Sequence, residues 1–152
     1  MAIPVGQLYN YDVKQVTAFV NGIPLTNFSD GDSITFQMNE DQFKLKVGNT
    51  GEGTRSKTNN NSGRYTFSLM QSSPANDALT LLMNTDLQVL TGTVYPIAVV
   101  DNLGTSRFVS PACWLTKWPD HKNAMEAQAK VWVFETNGVI QFHGGNFPPV
   151  IV

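Results

Sequence analysis

Apolar residues recur at every second position in short runs along most of this chain, and that period restricts it to β-structure more firmly than any other feature. Val16, Ala18 and Val20 alternate with polar partners up to Asn21-Gly22, a pair suited to a two-residue hairpin turn. Asp30-Gly31 introduces Ile34, Phe36 and Met38 on one face of a second run. After Asn39-Glu40-Asp41 the alternation resumes, predicting Phe43, Leu45 and Val47 inward and Lys44 and Lys46 outward, with these two runs forming a hairpin. Tyr65, Phe67 and Leu69 carry a further strand. The second half predicts strands over Val94 to Val100, Arg107 to Trp118, Lys130 to Glu135 and Val139 to His143. Pro111 requires a bulge, an edge or a break in the second of these, because it has no N–H for a ladder. Asn137-Gly138 reads as a tight hairpin joining the last two.

Two stretches depart from the period of two. Ser73 stands where an N-cap belongs, Pro74 suits the first helical position and Asp77 the first turn. Ala75, Ala78, Leu79 and Leu82 then form one buried stripe, predicting a short helix that ends near Asn84. Residues 123–129 read as short helix or irregular chain. From Gly48 to Gly63 apolar residues vanish, leaving Gly48, Gly51, Gly53, Gly63 and Asn59-Asn60-Asn61 in a long polar arm. A loop of that length in a compact domain is usually functional. Together these features predict a mainly β fold: a two-sheet antiparallel β-sandwich or barrel with one short α-helix packed on it, in a single domain over residues 1–152.

Composition narrows the function. Only 14% of residues are charged and the net charge is −2, so the basic excess that drives tight nucleic-acid binding is missing. A surface of uncharged polar groups is inexpensive to bury against a partner, which favours an assembling protein. One cysteine, Cys113, excludes an intramolecular disulfide. The first residues show neither a basic nor an apolar signal region, and Ile97 to Val100 is far too short to span a bilayer. We therefore expect a protein made in a reducing cytoplasm, with no membrane insertion.

The residues offer little chemistry. Cys113, His121 and His143 match no zinc spacing, and Cys113 beside Trp114 reads as a small core residue rather than a nucleophile. No Gly-x-Ser-x-Gly elbow or phosphate loop is present; the glycines of residues 48–53 lack a following helix to face an anion. Glu40-Asp41 and Asp30/Asp32 sit in turns, where solvated carboxylates are expected. No catalytic residue, cofactor or metal is predicted. The basic residues Lys44, Lys46, Arg55, Lys57 and Arg64, half of the ten in the chain, gather on or beside the polar arm. They suit either a solvated hairpin tip or an arm that pairs with acidic surface on a neighbour.

Two segments look unfinished in one copy. Trp132 and Phe134 alternate with Val131 and Val133, so this strand is apolar on both faces and needs cover on both, which the helix of the same copy or a neighbouring copy can supply. The tail Phe147-Pro148-Pro149-Val150-Ile151-Val152 is apolar and irregular, and docking on a neighbour suits it at least as well as docking at home. Trp132, Phe134, Phe147, Val150, Ile151 and Val152 are thus candidate subunit-interface residues.

The order of several pieces resembles tail tube proteins of contractile-tailed bacteriophages. These are Asn39-Glu40-Asp41 before a basic strand, Val47-Gly48-Asn49-Thr50-Gly51-Glu52-Gly53, Ser62-Gly63-Arg64-Tyr65-Thr66-Phe67-Ser68-Leu69, and Ser72-Ser73-Pro74-Ala75-Asn76 opening the helix. The Asn21-Gly22 hairpin, residues 112–119 and Trp132-x-Phe134 before Asn137-Gly138 fit the same order. Thr50 departs from it, since the family carries an acidic residue before this glycine. Type VI secretion and tailocin tube proteins are similar in architecture. The resemblance implies hexameric rings stacked into a hollow tube, with sheath protein outside, tape measure protein and then genome DNA inside, and baseplate initiator and tail terminator proteins at the ends. It places the protein in the virion tail, assembled in the host cytoplasm. Gly48, Gly51, Glu52, Gly53, Arg55, Lys57, Gly63 and Arg64 would belong to the inter-ring arm. The alternative is a monomeric β-sandwich binding module, of carbohydrate-binding or tail adhesin type, using Trp114, Trp118 or Tyr95 as an aromatic platform.

Overall fold

A computed structural model describes residues 8–150. After a 3-10 turn at Val13–Gln15, the strands are β1 (Val16–Val20), β2 (Ile23–Pro24), β3 (Ile34–Met38), β4 (Phe43–Val47), β5 (Gly53–Lys57) and β6 (Gly63–Met70). Helix α1 (Ala75–Gln88) follows, then β7 (Tyr95–Asp101), β8 (Arg107–Leu115), β9 (Ala129–Thr136) and β10 (Ile140–Phe142). The main antiparallel sheet runs β2-β1-β7-β8-β9-β6-β3, with β10 also paired to β8. β4 and β5 form a separate two-stranded sheet.

The main sheet curls on itself. The Phe36 ring of β3 lies 5.4 Å from that of Phe108 on β8, three strands away along the sheet. The segment between β2 and β3 closes the remaining gap: Leu25 N–H donates to the Ala18 carbonyl of β1, and Ser29 N–H to the Ser68 carbonyl of β6. The result is a barrel whose interior collects every second side chain of five strands. Val20, Tyr65, Phe67, Leu69, Ile97, Cys113, Trp132 and Phe134 are all at most 1% exposed. Helix α1 adds Ala75, Leu79 and Met83 to this core.

Local signals act as the sequence predicts at three places. Asn21 and Gly22 take φ of 52° and 78°, the left-handed pair of a tight turn that their short side chains tolerate, and Val20 pairs Ile23 across it. Pro111 lies in a bulge: Tyr95 pairs Cys113 while Ile97 pairs Ser110, so Pro111 and Ala112 oppose Pro96 alone. Pro74 has helical φ of −66° and the Ser73 hydroxyl accepts from Ala75 N–H at 3.3 Å, which opens the helix as its side chains dictate.

Three pairings differ from expectation. β3 joins β6, not β4, because the Asn39-Glu40-Asp41 turn releases the chain outward instead of reversing it along the sheet. β10 joins β8, not β9, so Asn137-Gly138 is a corner between sheet positions; the Thr136 hydroxyl braces it, accepting from Gly138 N–H at 3.3 Å. The polar arm is not irregular throughout, since Gly53–Lys57 is strand β5. The helix also runs one turn beyond Asn84, to Gln88, and residues 123–128 are irregular.

Candidate assembly surfaces

The β4–β5 hairpin stands away from the barrel. All ten of its strand residues are exposed. At its base, Thr58 N–H donates to the Gln42 carbonyl at 2.8 Å and the Thr58 hydroxyl to Glu40 at 3.3 Å. At its tip, Gly48 N–H donates to the Glu52 carbonyl, and Gly51 turns the chain with φ of 87°, a conformation that suits glycine. Gly53 lies so close to Leu45 that an added Cβ would sit 3.1 Å from its Cδ1.

The register sorts the hairpin into two faces. Phe43 pairs Lys57, Leu45 pairs Arg55 and Val47 pairs Gly53, placing three apolar and two basic side chains on one face. Lys44 and Lys46 share the other with Ser56 and Thr54. The Arg55 guanidinium lies 4.5 Å from the Phe43 ring centroid, a cation–π contact that partly covers the ring. Phe43, Leu45 and Val47 therefore do not point inward as their alternation suggested; they are 50%, 70% and 59% exposed. The hairpin has no core of its own in which to bury them.

The sequence-derived arm residues divide accordingly. Gly48, Gly51, Glu52, Gly53, Arg55 and Lys57 are on the hairpin. Gly63 and Arg64 are not: both belong to barrel strand β6. Gly63 lies under the Phe36 ring, and Arg64 forms an ion pair of 2.8 Å with Glu135 of the neighbouring strand β9.

Among the interface candidates, Trp132 and Phe134 are corrected to core residues. The closed barrel needs their large rings inside, and the Trp132 indole N–H donates to Asn76 Oδ1 of α1 at 2.9 Å. The uncovered face of β9 is the opposite one, where Val131 is exposed and Val133 half-buried. Phe147 and Val150 are exposed, while Ile151 and Val152 lie outside the described residues. Phe147 is anchored through its backbone, donating to the Leu103 carbonyl at 2.7 Å and accepting from Asn10 N–H at 3.2 Å. Its side chain is about half exposed, at 51%. Sequence reasoning missed the outer face of α1, where Leu81 and Leu87 are exposed beside Leu90. Their signal was available, since both leucines fall off the stripe of Ala75, Leu79 and Leu82.

Cys113 is not placed as an accessible nucleophile. Cys113 is fully buried with Sγ 3.7 Å from the Ser110 carbonyl, and burial pushes its thiol up from the usual value. Neither histidine serves it: Lys130 Nζ lies 2.9 Å from His121 Nδ1, and His143 stands edge-on to Phe108. Among the described residues there is no group of three metal-ligating side chains, and no helix is long and apolar enough to cross a membrane. The predicted aromatic positions do not form one platform: Tyr95 is buried, Trp114 half-buried and Trp118 exposed. Strand β8 ends at Leu115, before alternation could bring Trp118 to the face of Trp114.

The sequence model of the family described as bacteriophage PhiTE tail tube protein matches residues 13–144. The chain belongs to this family. This tail tube protein is 29% identical over 148 residues to structural protein ORF10 of Pseudomonas phage KPP10, covering 93% of this chain and 86% of the relative. Among solved structures, its fold is similar to that of the anti-feeding prophage tube-terminating cap, with a TM-score of 0.61 at 12% identity over 92% of this chain and 95% of the other. A chain of the PVC sheath–tube complex, from an extracellular contractile injection system, gives a TM-score of 0.60 at 11% identity, covering 88% and 92%. The expected mainly β architecture with one helix is thus similar to that of these chains. A tail tube protein is a structural component of the phage particle.

Proposed function

We propose that this tail tube protein forms hexameric rings that stack into the inner tube of a contractile tail, the conduit for genome DNA into the host. Its whole length serves as one tube domain carrying the β4–β5 hairpin as inter-ring arm. Sheath protein surrounds the tube, tape measure protein and then DNA occupy its lumen, and baseplate initiator and terminator proteins cap its ends. Assembly takes place in the host cytoplasm. The observation that carries this reading is the hairpin: a fully exposed two-stranded sheet with an apolar strip, in a protein of the tail tube family. An isolated two-stranded hairpin is at best marginally stable in water, so a partner surface is what gives it a purpose. Phe147, Val150, Ile151 and Val152 supply a second contact between copies. Similarity to chains from a sheath–tube complex and from a tube terminator supports the same architecture.

The test is to excise residues 43–57 and join Gln42 to Thr58 through a two-residue turn, which keeps the hydrogen-bonded base. The shortened protein should melt as the parent does yet give no tubes by negative-stain electron microscopy at concentrations where the parent gives them. Tubes of normal length from the shortened protein would overturn the role of the hairpin.

A further inference from the structure

The hairpin and a surface cleft lie at opposite ends of one ladder. Strands β3 and β6 pair from Met38–Gly63, where the hairpin leaves, to Ile34–Phe67. Beyond that, Phe28 bridges Leu69, and Met70 N–H donates to the Asn27 carbonyl. The eight residues of β6 span about 25 Å at ~3.4 Å per residue. At the far end, a cleft of about 620 Å³ opens between the start of β1 and the segment before β3. Its walls include Val13, Val16, Phe28 and the carboxylate-bearing Asp30, with Asp32 close by in the chain.

The two ends are chemically complementary. The hairpin strands carry four cations and no carboxylate; residues 25–33 carry Asp30 and Asp32 and no cation. The Phe43, Leu45 and Val47 strip is apolar with Arg55 and Lys57 on the same face, while the cleft is apolar with acid at its rim and Lys14 as the one cation lining it. Strand β1 also pairs β2 only through Phe19 and Val20; Val16 N–H turns back to the Val13 carbonyl, so the start of β1 has no paired strand on the β2 side. The cleft therefore adjoins an uncapped edge that suits an incoming extended segment.

We infer that the receptor for the hairpin is this cleft on a second copy of the chain, with Leu45 and Phe43 seated against Val16 and Phe28 and with Arg55 and Lys57 facing Asp30 and Asp32. The inference rests on the tube reading and specifies its inter-ring contact. Because projection and receptor are different surfaces at opposite ends, each copy accepts one hairpin and offers another, a head-to-tail contact that repeats along an axis without closing.

Charge exchange tests it. Arg55→Glu/Lys57→Glu and Asp30→Lys/Asp32→Lys should each raise the critical concentration for tube formation roughly tenfold or more at low salt, with the fold of each checked by its melting curve. The four changes together should restore assembly to within about twofold of the parent. Independently, Leu45→Cys with Phe28→Cys should give a ladder of disulfide-linked multimers on a non-reducing gel. An intrachain bridge cannot form across the length of the ladder, and Cys113 is buried. If the Asp30→Lys/Asp32→Lys protein assembles like the parent while the hairpin variant does not, and no ladder forms, the cleft is not the receptor although the tube stands. If the unaltered protein forms neither rings nor tubes at any concentration, the tube reading itself falls and takes this inference with it.

Discussion

Replacing Trp132 by phenylalanine separates two roles that its sequence context leaves open. In the barrel this indole is 1% exposed and donates to Asn76 Oδ1, while Asn76 Nδ2 donates to the Met70 carbonyl at 3.0 Å and reaches the Gln71 carbonyl at 3.3 Å. Asn76 thus ties the start of α1 both to β9 and to the chain leaving β6. Trp132→Phe removes the donor and leaves the buried Oδ1 unpaired, a loss of about 1–3 kcal/mol. The smaller ring also leaves one or two methylene equivalents unfilled, for a further ~1–2 kcal/mol. A total near 3 kcal/mol in a chain of 152 residues corresponds to a melting temperature lower by roughly 6–12 °C. Thermal denaturation followed by circular dichroism measures it. A cycle with Asn76→Ala should return a coupling energy of about 1 kcal/mol between the two side chains. The reasoning is refuted if Trp132→Phe melts within about 2 °C of the parent and instead impairs tube formation. That outcome would return Trp132 to the subunit interface.

Two further predictions concern the barrel. Burial pushes the Tyr65 hydroxyl up to about 12 from 10, against a smaller opposing effect of its hydrogen bond to Ser110. The unfolded chain therefore releases this proton first, so its stabilisation is complete below pH 10 and fades by up to ~2.7 kcal/mol as pH rises from 10 to 12; denaturant titrations at stepped pH should show it, and Tyr65→Phe should make the profile shallower, leaving the part due to Tyr95 and Cys113, which burial also pushes up. Gly144→Ala would set a Cβ into the Thr105 side chain and 2.9 Å from the Thr105 carbonyl carbon, so overpacking should cost about 1–3 kcal/mol by the same denaturant measurement.

How much the sequence disclosed depends on how far apart the interacting residues are. Ser73-Pro74, Asn21-Gly22 and Pro111 shape their own neighbourhoods, through a hydroxyl cap, a left-handed turn and a missing donor, and each is legible without knowledge of the rest. Pairing is different. Alternation in residues 34–38 and 43–47 says that both runs are extended but not which strand each will meet, and a polar turn between them suggested a hairpin that the barrel does not contain. Likewise Val131 to Phe134 announced two apolar faces, while only closure of the sheet decides that Trp132 and Phe134 take the inside. Gly63 and Arg64 carry the glycine and charge that mark loops, which places them with the arm on sequence alone. Their place in β6 follows from long-range pairing with β3 and β9.

The hairpin carries this distinction furthest. Phe43, Leu45 and Val47 have the pattern of a strand that packs on a core, and the pattern is truthful about their need for cover. It is silent on whose atoms supply it. In one copy nothing does, apart from the guanidinium of Arg55 lying on Phe43. Leaving an apolar strip in water invites indiscriminate pairing, and interleaved lysines and arginines oppose that by repelling other hairpins of the same charge. The same cations become favourable once a carboxylate faces them. On the proposed contact, charge on β4 and β5 would do two things at once: keep like strips apart and select an acidic receptor, so that the residues opposing indiscriminate pairing would also set specificity in assembly.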